Sequence, residues 1–452
     1  MSQLTLQEQR TAALGSPGKL KTAIAAGIGA MIENYDFLAF GTASALYFGA
    51  VFFPSTDPTV GTLLAFLTFG IGFLARPLGG ALGGYFGDKF GRKPVLVTSL
   101  LVMGSATFVI GLLPTYSQIG IAAPLILVAV RLIQGLAYGA EWGGAVMMTF
   151  EHAPWRSKGG YAAVPQAGSP TGIALATVVF LVCAQLGNDW AWRIPFLASA
   201  VLIGVGLFVR LKLEESPDFE RAKASGEILK NPLTEVVRKG WRTILRIIAL
   251  RIVESCGYYI VATFLLANIN ANHPDAKQST LLALLIACLV AIPAVIGSGM
   301  LSDRIGRKKV YFVATLATIA FGIPMFVLTN GGDPALIMVV YLIGISLIWA
   351  SLAGVQGAWF GELFPTNTRN SGVSLGYQLA SSISGFAPFL AGTLAATFGW
   401  IGGSVFYMSI GAIGLIGVLV TRETWTKRDR DRVSELLSGE PLTNTTERAN
   451  IS

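Results

Sequence analysis

Apolar residues fill the chain in long blocks separated by short polar breaks. A hydrocarbon core about 30 Å thick is crossed by roughly 20 apolar residues of helix, so each block reads as a membrane crossing. The blocks lie near 20–48, 59–86, 94–114, 119–149, 160–186, 191–210, 243–268, 279–301, 309–329, 334–361, 370–398 and 401–421, which makes twelve. Their apolar runs are continuous and lack the two-residue alternation of a barrel strand, so helices are predicted. The pattern gives an all-α membrane protein of twelve transmembrane helices. One long polar connection divides them six and six. The expected plan is a polar N-terminal segment (1–19), a six-helix bundle (20–210), a linker (211–242), a second six-helix bundle (243–421) and a tail (422–452).

Composition narrows the function classes. Of 452 residues, 53% are hydrophobic and only 13% charged, about half the charge of a typical soluble chain. That excludes a soluble enzyme, a disordered scaffold and a secreted disulfide protein. Cys183, Cys256 and Cys288 sit inside apolar runs at no metal-ligand spacing, and His152 and His273 are far apart, so neither a disulfide framework nor a metal site is expected. The polar start lacks the layout of a signal peptide, because Arg10, Lys19 and Lys21 precede a span that itself carries acids. Of 33 Lys and Arg residues, 28 fall on one side of the twelve-span plan and only Arg193 and Lys277 on the other, with three inside spans. Positive loops stay inside, so both termini are expected in the cytoplasm of a bacterial cell. The net charge of +8 is then a topology signal beside anionic lipid, not a nucleic-acid patch.

The two halves echo each other. GDKFGRKPVL at 87–96 returns as SDRIGRKKVY at 302–311, an offset of 215, and Glu151-His-Ala-Pro154 returns weakly as Glu362-Leu-Phe-Pro365. Both echoes follow the same span of each half, which describes parallel repeats that face each other across a midplane site and rock around it. The doubled Gly/Ser-Asp-x-x-Gly-Arg-Lys loop in twelve spans resembles the major facilitator superfamily. More narrowly, Asn34-Tyr35-Asp36-Phe37, Phe73-Leu-Ala-Arg76-Pro77-Leu-Gly79-Gly80, Arg131-Leu-Ile-Gln134-Gly135, Glu141-Trp142-Gly143-Gly144, Trp192-Arg193-Ile-Pro195-Phe196 and Glu215-Ser216-Pro217 resemble the metabolite:proton symporters. That group includes shikimate, α-ketoglutarate, citrate and proline/betaine carriers. The resemblance implies a major facilitator fold of two six-helix pseudo-repeats and transport rather than catalysis. The short tail, without sustained heptads, counts modestly against the osmoregulatory role of proline/betaine members.

Charges at membrane depth cost at least about 2.5–3.5 kcal/mol each on insertion scales, so they are the candidate machinery. Glu33 and Asp36 are three apart and share a helix face; Asp36, assisted by Glu33, is the candidate proton-coupling group, with structural pairing of either acid to Arg76 as the other reading. Arg131 lies near the midplane and forks onto carboxylates, so it is the candidate anion grip, with Gln134 one turn on. Arg251 and Glu254 form a second same-face pair, either a local ion pair or one that opens to substrate. Tyr35, Tyr258, Gln356 and Gln378 complete the expected substrate lining, with Gln166, Tyr259, Trp349 and Tyr377 further candidates in the same spans. Glu141 is read as a gating acid amid glycines. Asp88 with Arg92, and Asp303 with Arg307, are the loop-motif gates; such an Asp accepts from the N-terminal end of a neighbouring helix or pairs with its Arg, and the resemblance implies the same gating.

No Gly-x-x-x-x-Gly-Lys-Ser/Thr loop and no convincing nucleophile, base and orienter set occur, so ATP hydrolysis and catalysis are not expected, and no cofactor is called for. The expectation is a monomeric, proton-coupled uptake symporter of a small organic acid such as shikimate or a mono- or dicarboxylate. Symport of zwitterionic osmolytes and efflux by antiport are the alternatives.

Overall fold

A computed structural model describes residues 19–54, 57–90, 92–183, 190–211, 233–365 and 368–438. Side chains in several further helical stretches fall outside the described residues, among them Asp88, Arg92 and Glu141. Every regular element among the described residues is helical. That follows from the sequence, because in lipid each backbone N–H and C=O must be satisfied within its own segment. Eleven helices are long and apolar enough to span a bilayer: α1 (Ala26–Phe52), α2 (Pro58–Gly83), α3 (Pro94–Leu112), α4 (Ala122–Ala140), α5 (Trp155–Cys183), α7 (Gly240–Asn272), α8 (Pro274–Ile305), α9 (Arg307–Thr329), α10 (Pro334–Glu362), α11 (Ser371–Phe398) and α12 (Trp400–Val420). The shorter apolar α6 (Ile194–Phe208) makes the twelfth. A charged helix, α13 (Lys427–Ser438), follows α12.

Long helices carry local irregularities where the sequence demands them. Pro77 interrupts α2, which bends at Ala75 into segments Pro58–Leu74 and Arg76–Phe90. Prolines 165 and 170 lie inside α5 and Pro293 inside α8. Five-residue π turns occur at Ser44–Phe48 in α1 and Ile260–Phe264 in α7. Their first residues are 216 apart, close to the spacing of the loop echo, so the repeat is visible in backbone irregularity as well as in motif.

The two sequence halves meet along α5 with α8, α5 with α10, and α2 with α11. Glycine makes the first of these contacts close: the backbones of Gly159 in α5 and Gly299 in α8 touch, and a Cβ on Gly159 would run into the Gly299 carbonyl and the Arg307 guanidinium. At the opposite end of the bundle, Lys277 at the start of α8 lies over the Tyr47 ring of α1 at 4.5 Å. The halves therefore touch at both ends. Large apolar side chains such as Leu125, Val182, Val201, Val313, Leu347 and Ile416 face outward, as a lipid-facing surface requires.

Candidate functional site

The centre of the bundle holds a buried set of ionisable groups on α1, α2, α4 and α7. Glu33, Asp36, Arg76, Arg131, Arg251 and Glu254 are each less than a tenth exposed. Glu33 and Asp36 lie one turn apart on α1. Neither Asp36 oxygen has a partner within 3.5 Å, although the Thr107 side chain is close enough to act on it, and Glu33 and Arg131 lie within electrostatic reach.

Arg131 is fully buried. One terminal nitrogen donates to Gln134 Oε1 at 3.0 Å and the other to the Phe69 carbonyl at 3.2 Å. Gln134 Nε2 donates onward to the Thr107 hydroxyl at 2.7 Å. The guanidinium lies 3.9 Å from the Phe40 ring centroid and 4.8 Å from that of Phe37. Among the described residues Arg131 pairs with no carboxylate, and its Nε has no partner. The amide of Gln134, expected to serve substrate, is engaged by Arg131 and Thr107 instead.

Arg76 corrects the expectation that it pairs with an acid. Its guanidinium sits among rings, 3.6 Å from Phe73, 3.9 Å from Tyr138 and 4.1 Å from Phe37. It has no ion pair among the described residues, and its Nε has no partner. Arg76 follows the interruption at Ala75 and still lies against α1, but on the Phe37 ring and not on a carboxylate. Tyr35 is a second correction. Its hydroxyl donates to the Pro195 carbonyl of α6 at 2.7 Å, inside the first half. Adjacent residues on a helix point about 100° apart, so Tyr35 cannot share the face that presents Asp36.

In the second half Arg251 makes an ion pair with Glu254. It also donates to the Tyr377 hydroxyl at 2.5 Å and more weakly to Gln356 Oε1 at 3.4 Å. Trp349 Nε1 donates to Glu254 at 2.6 Å, and the Trp349 ring packs on Tyr258 at 4.7 Å. The Tyr258 hydroxyl, the Gln356 Nε2 and both amide atoms of Gln378 are buried without partners. Unpaired buried polar atoms cost roughly 1–3 kcal/mol each, so their accumulation in one region marks a place built to receive a polar molecule or water. Tyr259 bridges the halves, its ring meeting Phe69 and Phe73 at 5.4 Å each. Asp36 and Arg251 are 215 apart, the same offset as the loop echo. The matched register therefore carries an acid in one half and a guanidinium in the other.

At the end carrying the basic loops, Asp303 of α8 accepts from the amides of Gly159 and Gly160 in the first turn of α5, at 2.8 and 3.0 Å. Arg307 Nη1 donates to Asp303 at 2.7 Å and Nη2 to Glu362 at 3.2 Å. Gly306 between them has φ +107°, which favours glycine. The equivalent groups Asp88 and Arg92, and Glu141, lie outside the described residues. Sequence reading missed the tail's part here. Glu423 accepts from the Arg307 and Lys308 amides at 3.0 and 3.1 Å, capping α9. Trp425 Nε1 donates to the Asp303 carbonyl at 2.8 Å and the ring packs with Val433 and Trp155. No motif announces these contacts; the only hint is an acid and a tryptophan in an otherwise charged tail.

Comparison with known proteins gives one consistent result. The family described as Major Facilitator Superfamily matches residues 37–387. The chain is 38% identical over 418 residues to an inner membrane metabolite transport protein, YhjE, of Escherichia coli, covering 89% of this chain and 94% of that one. It is 38% identical to the Escherichia coli shikimate transporter (87% and 90% covered) and 34% identical to a proline/betaine transporter of Salmonella typhimurium (90% and 84% covered). Among solved structures, the proton:xylose symporter XylE superposes with a TM-score of 0.69 at 18% identity, over 92% of this chain and 98% of that one, which speaks to the fold alone.

Proposed function

Since the chain belongs to the major facilitator superfamily, a transporter and not an enzyme, we propose that it is a proton-coupled symporter that takes up a small organic acid by alternating access. The observation carrying this is Arg131, a buried guanidinium with no carboxylate partner among the described residues, within electrostatic reach of Asp36, a buried carboxyl with no partner inside hydrogen-bond distance and only the Thr107 side chain near enough to act on it. A guanidinium so placed is short of an anion, and a carboxyl so placed is short of a proton. In this reading Asp36, with Glu33 beside it, takes a proton. Arg131 takes the substrate carboxylate in a fork. Arg251 exchanges Glu254 for a second anionic or hydroxyl group, and Tyr258, Gln356 and Gln378 supply polar contacts. Asp303 and Arg307, and by repeat Asp88 and Arg92, hold the basic end shut until loading is complete. The two six-helix units, 20–210 and 243–421, are the rocking bodies, joined by 211–242. The protein sits as a monomer in the bacterial inner membrane with the basic end and both termini in the cytoplasm.

Uptake into proteoliposomes tests this. Shikimate, α-ketoglutarate, citrate and benzoate-type acids are offered beside betaine and proline, with an imposed inward pH gradient and with or without a protonophore. Gradient-dependent accumulation of an acid supports the reading; no movement of any acid in the panel refutes it. The similarity to a proline/betaine transporter favours a second reading in which a zwitterion places its single carboxylate on Arg131 and its cation on an aromatic face that no guanidinium already covers. Accumulation of betaine or proline alone selects that one, and proton entry into the lumen coupled to outward substrate flow selects antiport.

A further inference from the structure

The crossing of α2 and α11 contains a hydrogen bond that joins the halves through an atom the sequence leaves poorly satisfied. In a regular helix the Phe73 carbonyl accepts from the amide four residues on. That residue is Pro77, which has no N–H. The carbonyl is met instead by the Ala75 amide of its own turn and, from the other half, by the Ser382 hydroxyl of α11 at 2.9 Å. The same hydroxyl also reaches the Gln378 carbonyl of its own helix at 3.0 Å. It has one proton to give and two acceptors. If α11 moves away, the proton remains satisfied at Gln378 and separation leaves no orphaned donor. Phe73 is also the ring closest to Arg76, and it packs edge-on to Phe37 at 5.3 Å. Gly385, one turn beyond Ser382, leaves the space that the Phe73 ring occupies.

We propose that Ser382 is a positioning residue: by holding the Phe73 carbonyl it keeps the Phe73 ring over Arg76 while the halves are together, and by falling back on Gln378 it releases that ring when they part. The inference rests on the alternating-access reading, but its first test needs no substrate. Cysteines at Val60 and Phe398, exposed at the far ends of α2 and α11, carry spin labels in the full chain reconstituted in nanodiscs. Distance distributions then report how much protein has the crossing closed. Ser382→Ala is expected to lower the closed-to-open ratio measurably but by less than about fivefold, the worth of one whole neutral hydrogen bond, because the Gln378 carbonyl takes the proton when the halves part; Ser382→Thr, which keeps the hydroxyl, retains the parent ratio. Pro77→Ala restores an amide that competes for the same carbonyl, so it should reproduce Ser382→Ala, and the double variant should be no worse than either single one.

Ratios unchanged in Ser382→Ala, or Ser382→Thr behaving like Ser382→Ala, overturn the proposal. So does additivity between the Ser382 and Pro77 changes. In the transport assay, the Ser382→Ala effect should appear in the maximal rate more than in the half-saturating concentration of whichever acid is moved. If distances respond as expected while no acid is transported, the latch stands and the substrate reading fails.

Discussion

The contact between Asp303 and α5 allows a quantitative test of gating. Asp303 accepts two main-chain bonds from Gly159 and Gly160 and one from Arg307. The Arg307 bond lies within the second half and persists whether the halves are apart or together, so it cancels in a gating equilibrium. The two bonds to α5 cross between halves and do not cancel. Asp303→Asn keeps one oxygen for one amide and turns an NH2 toward the other, replacing a charge-assisted bond with two donors face to face. A charge-assisted bond is worth about 1.5–3 kcal/mol, and a buried unpaired donor costs a further 1–3 kcal/mol. Allowing for water that solvates both groups in the open form, a net loss of about 2–4 kcal/mol is expected. At 1.36 kcal/mol per decade this shifts the closed-to-open ratio at the basic end by about thirty- to several-hundred-fold. Spin labels on cysteines at Arg156 and Arg304, both exposed beside the contact, read that ratio directly. Asp333→Asn, at an exposed cap on the opposite end of α10, is the control and should leave it unchanged. Identical distance distributions for Asp303→Asn and the parent would refute the reasoning.

Three further outcomes are expected. Arg131→Ala should lower binding of acidic substrates at least a hundredfold, measured by calorimetry on purified protein, with little loss of expression; loss of folded protein with unchanged affinity in what remains would reverse the assignment. Asp36→Asn should still exchange internal for external substrate but fail to accumulate it against its gradient, and vesicle acidification accompanying uptake should vanish. Gly159→Ala should push α5 and α8 apart, because its Cβ meets the Gly299 carbonyl and the Arg307 guanidinium; labels at 156 and 304 should then report a separated basic end, and uptake should fall at least tenfold.

The fold was legible because membrane solvent makes it so. Span length, helix type and family all follow from apolar run length and one repeated loop. The candidate site was legible only in part, and the misses share a cause. Residue type and depth are written in the sequence, but direction around a helix is lost where a helix bends. Depth alone places Asp36 and Arg131 inside the bundle, and both are buried there. Tyr35 shares that depth yet donates to Pro195, and Arg76, next to Pro77, lies among Phe37, Phe73 and Tyr138. Gln134 reads as an available amide, since nothing local reveals that Thr107 on another span satisfies it. Glu423 and Trp425 were invisible for a different reason: their partners, Arg307, Lys308 and Asp303, lie more than a hundred residues away with no shared motif.

The segment after α12 has a practical consequence for anyone handling this carrier. Glu423 and Trp425 are stitched to the first turn of α9 and to Asp303, whereas Ser438 is the far end of α13. An affinity handle or fluorescent fusion appended beyond Ser438 preserves that stitching. The same cargo spliced between Thr421 and Lys427 severs it, so two reporter strains differing by a dozen residues in fusion site would show different turnover from an otherwise identical protein.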